Sequence, residues 1–240
     1  MNEEEYERMF VLEDFYWWFK GRREIVLSAM KEIEAKNILD VGCGTGGNLT
    51  LFNGFVVGLD ISPQALEMAR KRKPDAVLCR GEAENLPFKD ESFDLVLALD
   101  LLEHLPDDIK GLSEMYRVLK VGGNALITVP AYKFLWSEHD EALHHFRRYS
   151  KGELKGKMEK VGFQIKFLSH AIVLPFFPIA LFRLLQRFTR RANRKPKTSL
   201  IILPGILNEI LYRILLGEAK LIERGISFPF GVSIICRGVK

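Results

Sequence analysis

The sequence predicts an α/β fold on a largely parallel sheet, and three observations carry that expectation. Short aliphatic runs alternate with stretches of helical apolar spacing from residue 37 onward. A glycine cluster, Gly42 to Gly47, closes the first of these runs, and an acid, Asp60, closes the second. Strands joined through helices need right-handed crossovers, which leave them parallel with their carboxyl ends along one edge.

Taken in order, residues 22–35 carry apolar positions at helical spacing with no breaker and predict an amphipathic helix. Residues 37–41 and 54–59 read as strands, with a helix expected between them directly after the glycines. Ser62-Pro63 supplies an N-cap and a proline at the first helical position, opening a helix to about Lys73. Further strands are expected at 76–79, 93–98 and 124–129, with a helix from about Pro106 to Lys120. Ser150-Lys-Gly-Glu153 has the spacing of a capping box and opens a helix to about Val161. Strands at 163–167 and 231–236 finish the pattern. The segment between those two is too long for a hairpin loop and reads as a helical insertion.

Composition excludes several classes. At 240 residues, 48% apolar and 28% charged, the chain is an ordinary globular protein and not a disordered one. A net charge of +4 is too small to indicate a nucleic-acid partner, and none is expected. Three cysteines without a C-x-x-C pair suggest neither a disulfide framework nor a structural zinc site. The acidic opening is unlike a secretory signal, and proline or charge interrupts both long apolar stretches, so neither reads as a membrane span. The expected location is therefore cytoplasmic, with the inner membrane face as an alternative.

Gly42, Gly44 and Gly47 satisfy G-x-G-x-x-G after a strand, and Asp60 follows 18 positions beyond Gly42. Bare glycine backbone admits a ligand closely, while a carboxylate at the second strand's end accepts hydrogen bonds from ribose hydroxyls and repels a 2′-phosphate. The loop predicts a nucleoside-type cofactor.

The residues around it carry a family resemblance. Ile38-Leu-Asp-Val-Gly-Cys-Gly-Thr-Gly46 resembles the first motif of class I S-adenosylmethionine-dependent methyltransferases, and Gly58-Leu-Asp-Ile-Ser-Pro63 is similar to their second. Gly81-Glu-Ala-Glu-Asn-Leu-Pro-Phe88, Phe93 to His104 and Arg117-Val-Leu-Lys-Val-Gly-Gly123 resemble the later motifs in the right order. The resemblance implies a Rossmann-like, doubly wound seven-stranded sheet of order 3-2-1-4-5-7-6 with the last strand antiparallel. It further implies S-adenosyl-L-methionine as cofactor, with Gly42, Cys43, Gly44, Asp60, Ile61, Glu82, Ala83 and Leu99 lining its site. Glu82 stands where the family more often has Asp. Asp40 offers an acceptor for the ammonium group, and Arg22 is a candidate partner for the carboxylate under a lid of Tyr16, Trp17, Trp18 and Phe19. The implied division is an N-terminal lid and helices at 1–35, a cofactor-binding core at 36–170, an insertion capping the substrate side at 171–228 and a final strand at 229–240, all in one domain.

Trp136 to Tyr149 gathers acids, three histidines and two arginines just past the fifth strand. With Trp17-Trp-Phe-Lys-Gly-Arg-Arg23 and Pro229-Phe-Gly-Val-Ser233, it resembles a subgroup of these methyltransferases often linked with cell-envelope or polysaccharide genes. In one reading His139 or His144 is a general base and Arg147 or Arg148 binds an anionic acceptor. In another the segment is a hydrogen-bonded loop pinning the fifth strand to the helix at Ser150. A third reading, ligation of a metal by His139, Asp140 and His144, ranks below both, and no metal is expected. His104 reads as helix-end structure.

Within 15 residues the insertion holds Arg183, Arg187, Arg190, Arg191, Arg194, Lys195 and Lys197 with no acid among them, between large apolar residues. It reads either as a solvated linker or as a substrate-side cap touching a membrane through residues 171–216. The expected reaction is in-line methyl transfer to a hydroxyl or carboxyl of a small, lipid-linked or saccharide-linked acceptor. The alternative acceptor is an isoprenoid quinone, methylated on oxygen or carbon. NAD-dependent oxidoreduction, or an inactive cofactor-binding partner protein, ranks lower.

Overall fold

A computed structural model describes residues 3–189 and 202–240. Its centre is one seven-stranded sheet of β1 (Asn37–Val41), β2 (Phe55–Asp60), β3 (Val77–Arg80), β4 (Phe93–Leu99), β5 (Leu119–Pro130), β6 (Gln164–Ala171) and β7 (Ser233–Val239). The order is β3-β2-β1-β4-β5-β7-β6. Strands β1 to β5 pair in parallel, while β7 runs antiparallel to both β5 and β6. The carboxyl ends of β1, β2, β4, β5 and β6 therefore share one edge.

Alternation along β4 shows how the sheet holds its two layers. Val96 and Ala98 face a core made with α4 (Asp108–Val118) and α6 (Lys151–Val161), through Leu112, Met115, Leu154 and Met158. Leu95, Leu97 and Leu99 face the other side, where α2 (Trp17–Ala29) and α8 (Gly205–Glu223) bring Ile25, Val26, Leu215, Ala219 and Ile222. Strands buried on both faces read as continuous apolar runs, as β4 does.

The remaining helices are α1 (Glu3–Leu12), α3 (Pro63–Arg72), α5 (Glu138–Ala142) and α7 (Phe176–Thr189). Ser62 caps α3 by accepting from the Ala65 N–H at 3.2 Å, as its sequence predicts.

Three local expectations are corrected. No α-helix follows the glycine loop; a single 3-10 turn at Leu49–Leu51 returns the chain to β2, because too few residues separate Gly47 from Phe55 for more. The predicted helix at 22–35 instead runs from Trp17 to Ala29. It starts early because Asn208 of α8 accepts from the Trp17 N–H at 2.9 Å and donates to the Phe15 carbonyl at 2.9 Å, a cap supplied from far along the chain. Gly21 lets α8 lie close on α2, since a Cβ there would sit 2.4 Å from Leu215 Cδ1. At Ser150 only half of the expected capping box forms, and Glu153 turns to Lys133 and Lys157 instead.

The insertion leaves β6 at the carboxyl edge. Glu218 of α8 accepts from the Ile172 and Val173 N–H groups at 2.5 and 2.8 Å, fixing that exit. Most of the basic run expected in the insertion lies outside the described residues; Arg183 is an exception and is buried, donating to the Leu135 carbonyl at 3.1 Å. Among the described residues, no helix is long and apolar enough to cross a membrane.

Candidate active site

The site forms where β1, β2 and β4 end. Gly42, Gly44 and Gly46 all take positive φ (72°, 54° and 82°), and a Cβ on Gly42 would meet Leu101 Cδ1 at 2.7 Å. The N–H groups of Gly42 and Cys43 both reach the Leu59 carbonyl, Gly46 reaches Cys43, and Gly44 donates to Asp60 Oδ2 at 2.9 Å. These four donors are satisfied internally, and no helix N-terminus stands behind them. The loop therefore lacks the phosphate cradle that a dinucleotide needs.

Asp40 is 1% exposed, and neither carboxylate oxygen has a hydrogen-bond partner. Burial pushes its pKa up to about 7, held back by Arg22 and raised further by Asp60 and Glu13. An unpartnered buried acid at this place calls for a cation. Asp60 accepts from Gly44 and, at 2.9 Å, from the Ser62 N–H, which leaves lone pairs for a further donor. Burial raises its pKa also.

Helix α1 roofs the loop. Tyr6 lies beside Asp60 and Ser62, its phenol pushed up to about 12 first by burial and then by Asp60. Met9 Cε comes within 3.2 Å of where a Gly44 Cβ would be. Glu13 accepts from the Thr45 hydroxyl at 2.6 Å and pairs with Arg72 at 2.7 Å. Arg22, on α2, pairs with Asp100 at 3.0 Å and donates to Thr128 Oγ1 at 3.3 Å. Asp100 (φ 56°) turns the chain just beyond Leu99 and is itself held by the Thr128 hydroxyl at 3.0 Å. Arg22 thus engages Asp100, and Arg72 and Arg23 lie at Glu13, which leaves Asp40 and Asp60 facing the cleft, a field that suits a cationic ligand better than a pyrophosphate.

The other predicted contacts divide. Ile61 is 60% exposed immediately past Asp60, an apolar side chain free to face a ring. Glu82 is exposed in a tight turn with Asn85, and Ala83 is buried behind it. Leu99 is buried with the α2 and α8 side chains, and Trp18 packs on the same cluster, edge-on to Trp17. Cys43 is corrected: its thiol points into the core with Leu49, Val56 and Ala69, so only its backbone faces the loop.

Residues 39–127 match the methyltransferase-domain family model. A probable S-adenosylmethionine-dependent methyltransferase of Mycolicibacterium smegmatis is 30% identical over 62% of this chain and 60% of its own length. Residues 39–127 form a methyltransferase domain. A demethylmenaquinone methyltransferase of Listeria welshimeri is 37% identical over 49% of this chain and 54% of its own length. The chain thus spans little more than half the length of these curated relatives. A solved SAM-dependent methyltransferase from Thermotoga maritima shares the fold, with a TM-score of 0.62 at 23% identity, covering 99% of this chain and 95% of that one. The methyltransferase domain implies S-adenosylmethionine, and Asp40, Asp60 and the glycine loop fit its ammonium, ribose and amino-acid arm.

Past β5 the histidine segment proves to be an ordered web. Arg148 is 2% exposed; its Nε donates to Asp140 Oδ1 at 2.7 Å and its Nη1 to the Ala131 carbonyl at 3.0 Å. Arg147 donates to the Leu105 and Pro106 carbonyls at 3.0 and 2.8 Å and pairs with Asp108 at 3.1 Å. Tyr149 also holds Asp108, at 2.7 Å. Both arginines are therefore committed to the loop, which corrects their assignment to an anionic acceptor and favours the pinning role. Ser137 and Asp140 form the capping box of α5.

The two predicted bases sit in different surroundings. Burial, then Arg183, drives His139 down to about 3, far from a proton acceptor matched to neutral pH. His144 is exposed, in a positive-φ turn (57°). The trio His139, Asp140 and His144 does not converge; Glu103, His104 and His145 do, with ligand atoms within 4.8 Å of one another. Sequence reading missed Glu103 and His145, and also Tyr6 and Glu13. The available signal was Glu103-His104 sitting one turn past β4.

Proposed function

We propose that this chain methylates a hydroxyl or carboxyl of an acceptor with an apolar tail, drawn from a membrane surface beside the carboxyl edge. S-adenosylmethionine, when bound, supplies a methyl already activated on sulfonium. The protein's task is then mainly alignment. Asp40 would take the ammonium group and Asp60 the ribose, while Tyr6, Met9 and Glu13 shut the roof against water. Asp100, Thr128 and Arg22 form a braced wall where β4 and β5 end, on the side an acceptor must approach.

One observation carries the acceptor class. Leu174, Phe177, Leu181, Phe182 and Leu185 on and before α7, with Ile202, Ile206, Leu207 and Ile210 on and before α8, are all exposed on the insertion that leaves this edge. Scattered exposed leucines are ordinary, but such a concentration on two successive elements indicates a surface for a membrane or a lipid chain. An isoprenoid quinone is the second reading, supported by the relatives named demethylmenaquinone methyltransferase.

The test is transfer of labelled methyl from S-adenosylmethionine in the presence of a total lipid extract. Label recovered in the organic phase, lost in Phe177→Ser/Leu181→Ser with S-adenosylhomocysteine affinity unchanged, supports the reading. Label appearing only on water-soluble acceptors would overturn it.

A further inference from the structure

We propose that Glu103, His104 and His145 form a binding site for a divalent cation of the zinc type, placed against the acceptor side of the methyltransferase site. A short 3-10 turn, Leu102–His104, presents the first two residues directly beyond Asp100. The third arrives from more than 40 positions away because the Phe146 N–H donates to the Glu103 carbonyl at 2.7 Å, which pins the His145 backbone beside the turn.

Three separate observations converge. The ligand atoms of the three side chains lie within 4.8 Å of one another, so small side-chain rotations bring them onto one ion at bond lengths of about 2.0–2.2 Å. Glu103 is fully buried and neither of its oxygens has a hydrogen-bond partner, a costly arrangement for a carboxyl group unless something cationic completes it. His145 Nδ1 stands 3.0 Å from Asp140 Oδ1, which fixes the tautomer and leaves Nε2 as the lone-pair nitrogen. Asp140 is in turn oriented by Arg148 and by the Ser137 N–H. A carboxylate orienting an imidazole in this way is the usual support of a metal-bound histidine.

The His104 ring stands edge-on to His145 with centroids 4.6 Å apart. Glu103 is the one acid of the trio and supplies the charge that meets the ion. Two imidazoles and one carboxylate favour zinc, or a neighbour such as cobalt, over magnesium or calcium. Three protein ligands leave a position open, the arrangement of a catalytic and not a structural zinc site. Its location next to Asp100 suits an acceptor oxygen as the fourth ligand, a role that rests on the methyltransferase reading; the cation site itself does not.

The experiment is titration of chelator-treated full-length protein with Zn2+ and, separately, Mg2+ by calorimetry, together with Co2+ absorption spectra. The expected result is one Zn2+ per chain, a tetrahedral or five-coordinate Co2+ spectrum, and much weaker Mg2+ binding. Asp140→Asn should weaken Zn2+ by about 10–100-fold. Glu103→Gln/His145→Gln should abolish the Co2+ spectrum while S-adenosylhomocysteine still binds, which shows that the variant is folded. Absence of stoichiometric Zn2+ binding, or binding unchanged in that double variant, would overturn the site. Failure of S-adenosylhomocysteine to bind wild-type protein would instead strike the methyltransferase reading alone.

Discussion

Arg22 Nη2 stands 3.0 Å from Asp100 Oδ2, so a helix near the amino terminus is tied to the tip of β4 across the mouth of the cofactor site. Arg22 is also the charge that most lowers the pKa of Asp40, the unpartnered acid at the bottom of that site. One guanidinium thus braces the wall and tunes the floor.

The pH dependence follows from Asp40. Its folded pKa is raised from 3.8 to about 7, so the empty protein holds a proton there that the unfolded chain has lost. This group therefore favours folding at low pH, and that contribution fades as pH rises from about 4 through 7. Binding of a ligand ammonium runs the other way, because it needs the carboxylate. Affinity for S-adenosylhomocysteine should climb between pH 5 and 7, approaching about tenfold per unit, and then level off. Asp40→Asn should flatten both curves and weaken binding at pH 7.5; calorimetry and thermal melts across that range are the check.

Removing the brace tests the coupling. In Arg22→Gln, Asp40 loses its closest positive neighbour, so the midpoint of the binding curve should move to higher pH and affinity at neutral pH should fall about tenfold. A midpoint that stays at the wild-type pH would show that Arg22 acts on the ligand directly and not through Asp40.

Two glycines of the loop should fail differently. Gly46→Ala would push a Cβ to 2.8 Å from Ala69 Cα in a positive-φ turn, against backbone that cannot yield. It should lower thermal stability. Gly42→Ala meets the Leu101 side chain at 2.7 Å, which can rotate, but Gly42 belongs to the loop proposed to receive the cofactor's amino-acid arm. Its main effect should be lost S-adenosylhomocysteine binding, with a milder loss of stability from the strained turn. Paired melts and calorimetry separate the two.

Arg148→Met should cost about 3–5 kcal/mol of folding stability, because it leaves Asp140 buried without its guanidinium partner. Arg147→Ala, more exposed and bonded largely to carbonyls, should cost less. Urea unfolding of the two variants, with S-adenosylhomocysteine binding as a control for the cofactor site, measures the difference.

Much of this was legible in the chain because it is local. The apolar run of β4, the Ser62-Pro63 start of α3 and the glycine turn after β1 each depend on residue type or backbone freedom within a few residues. Errors arose where partners are distant. The start of α2 waits on Asn208, and the fate of Arg147 and Arg148 depends on carbonyls and acids in other segments. A basic, histidine-rich run looks the same in sequence whether its charges meet a ligand or each other.

The sequence alone determined the sheet and the glycine turn with its two acids, since apolar period, glycine positions and the acids of β1 and β2 act through short-range geometry. Tertiary structure decided the rest of the site: which carboxylates stay unpartnered, which arginines are neutralised, and that Glu103 and His104 meet His145. Those outcomes are set by desolvation and by hydrogen bonds between remote segments, and both exist only once the chain has packed.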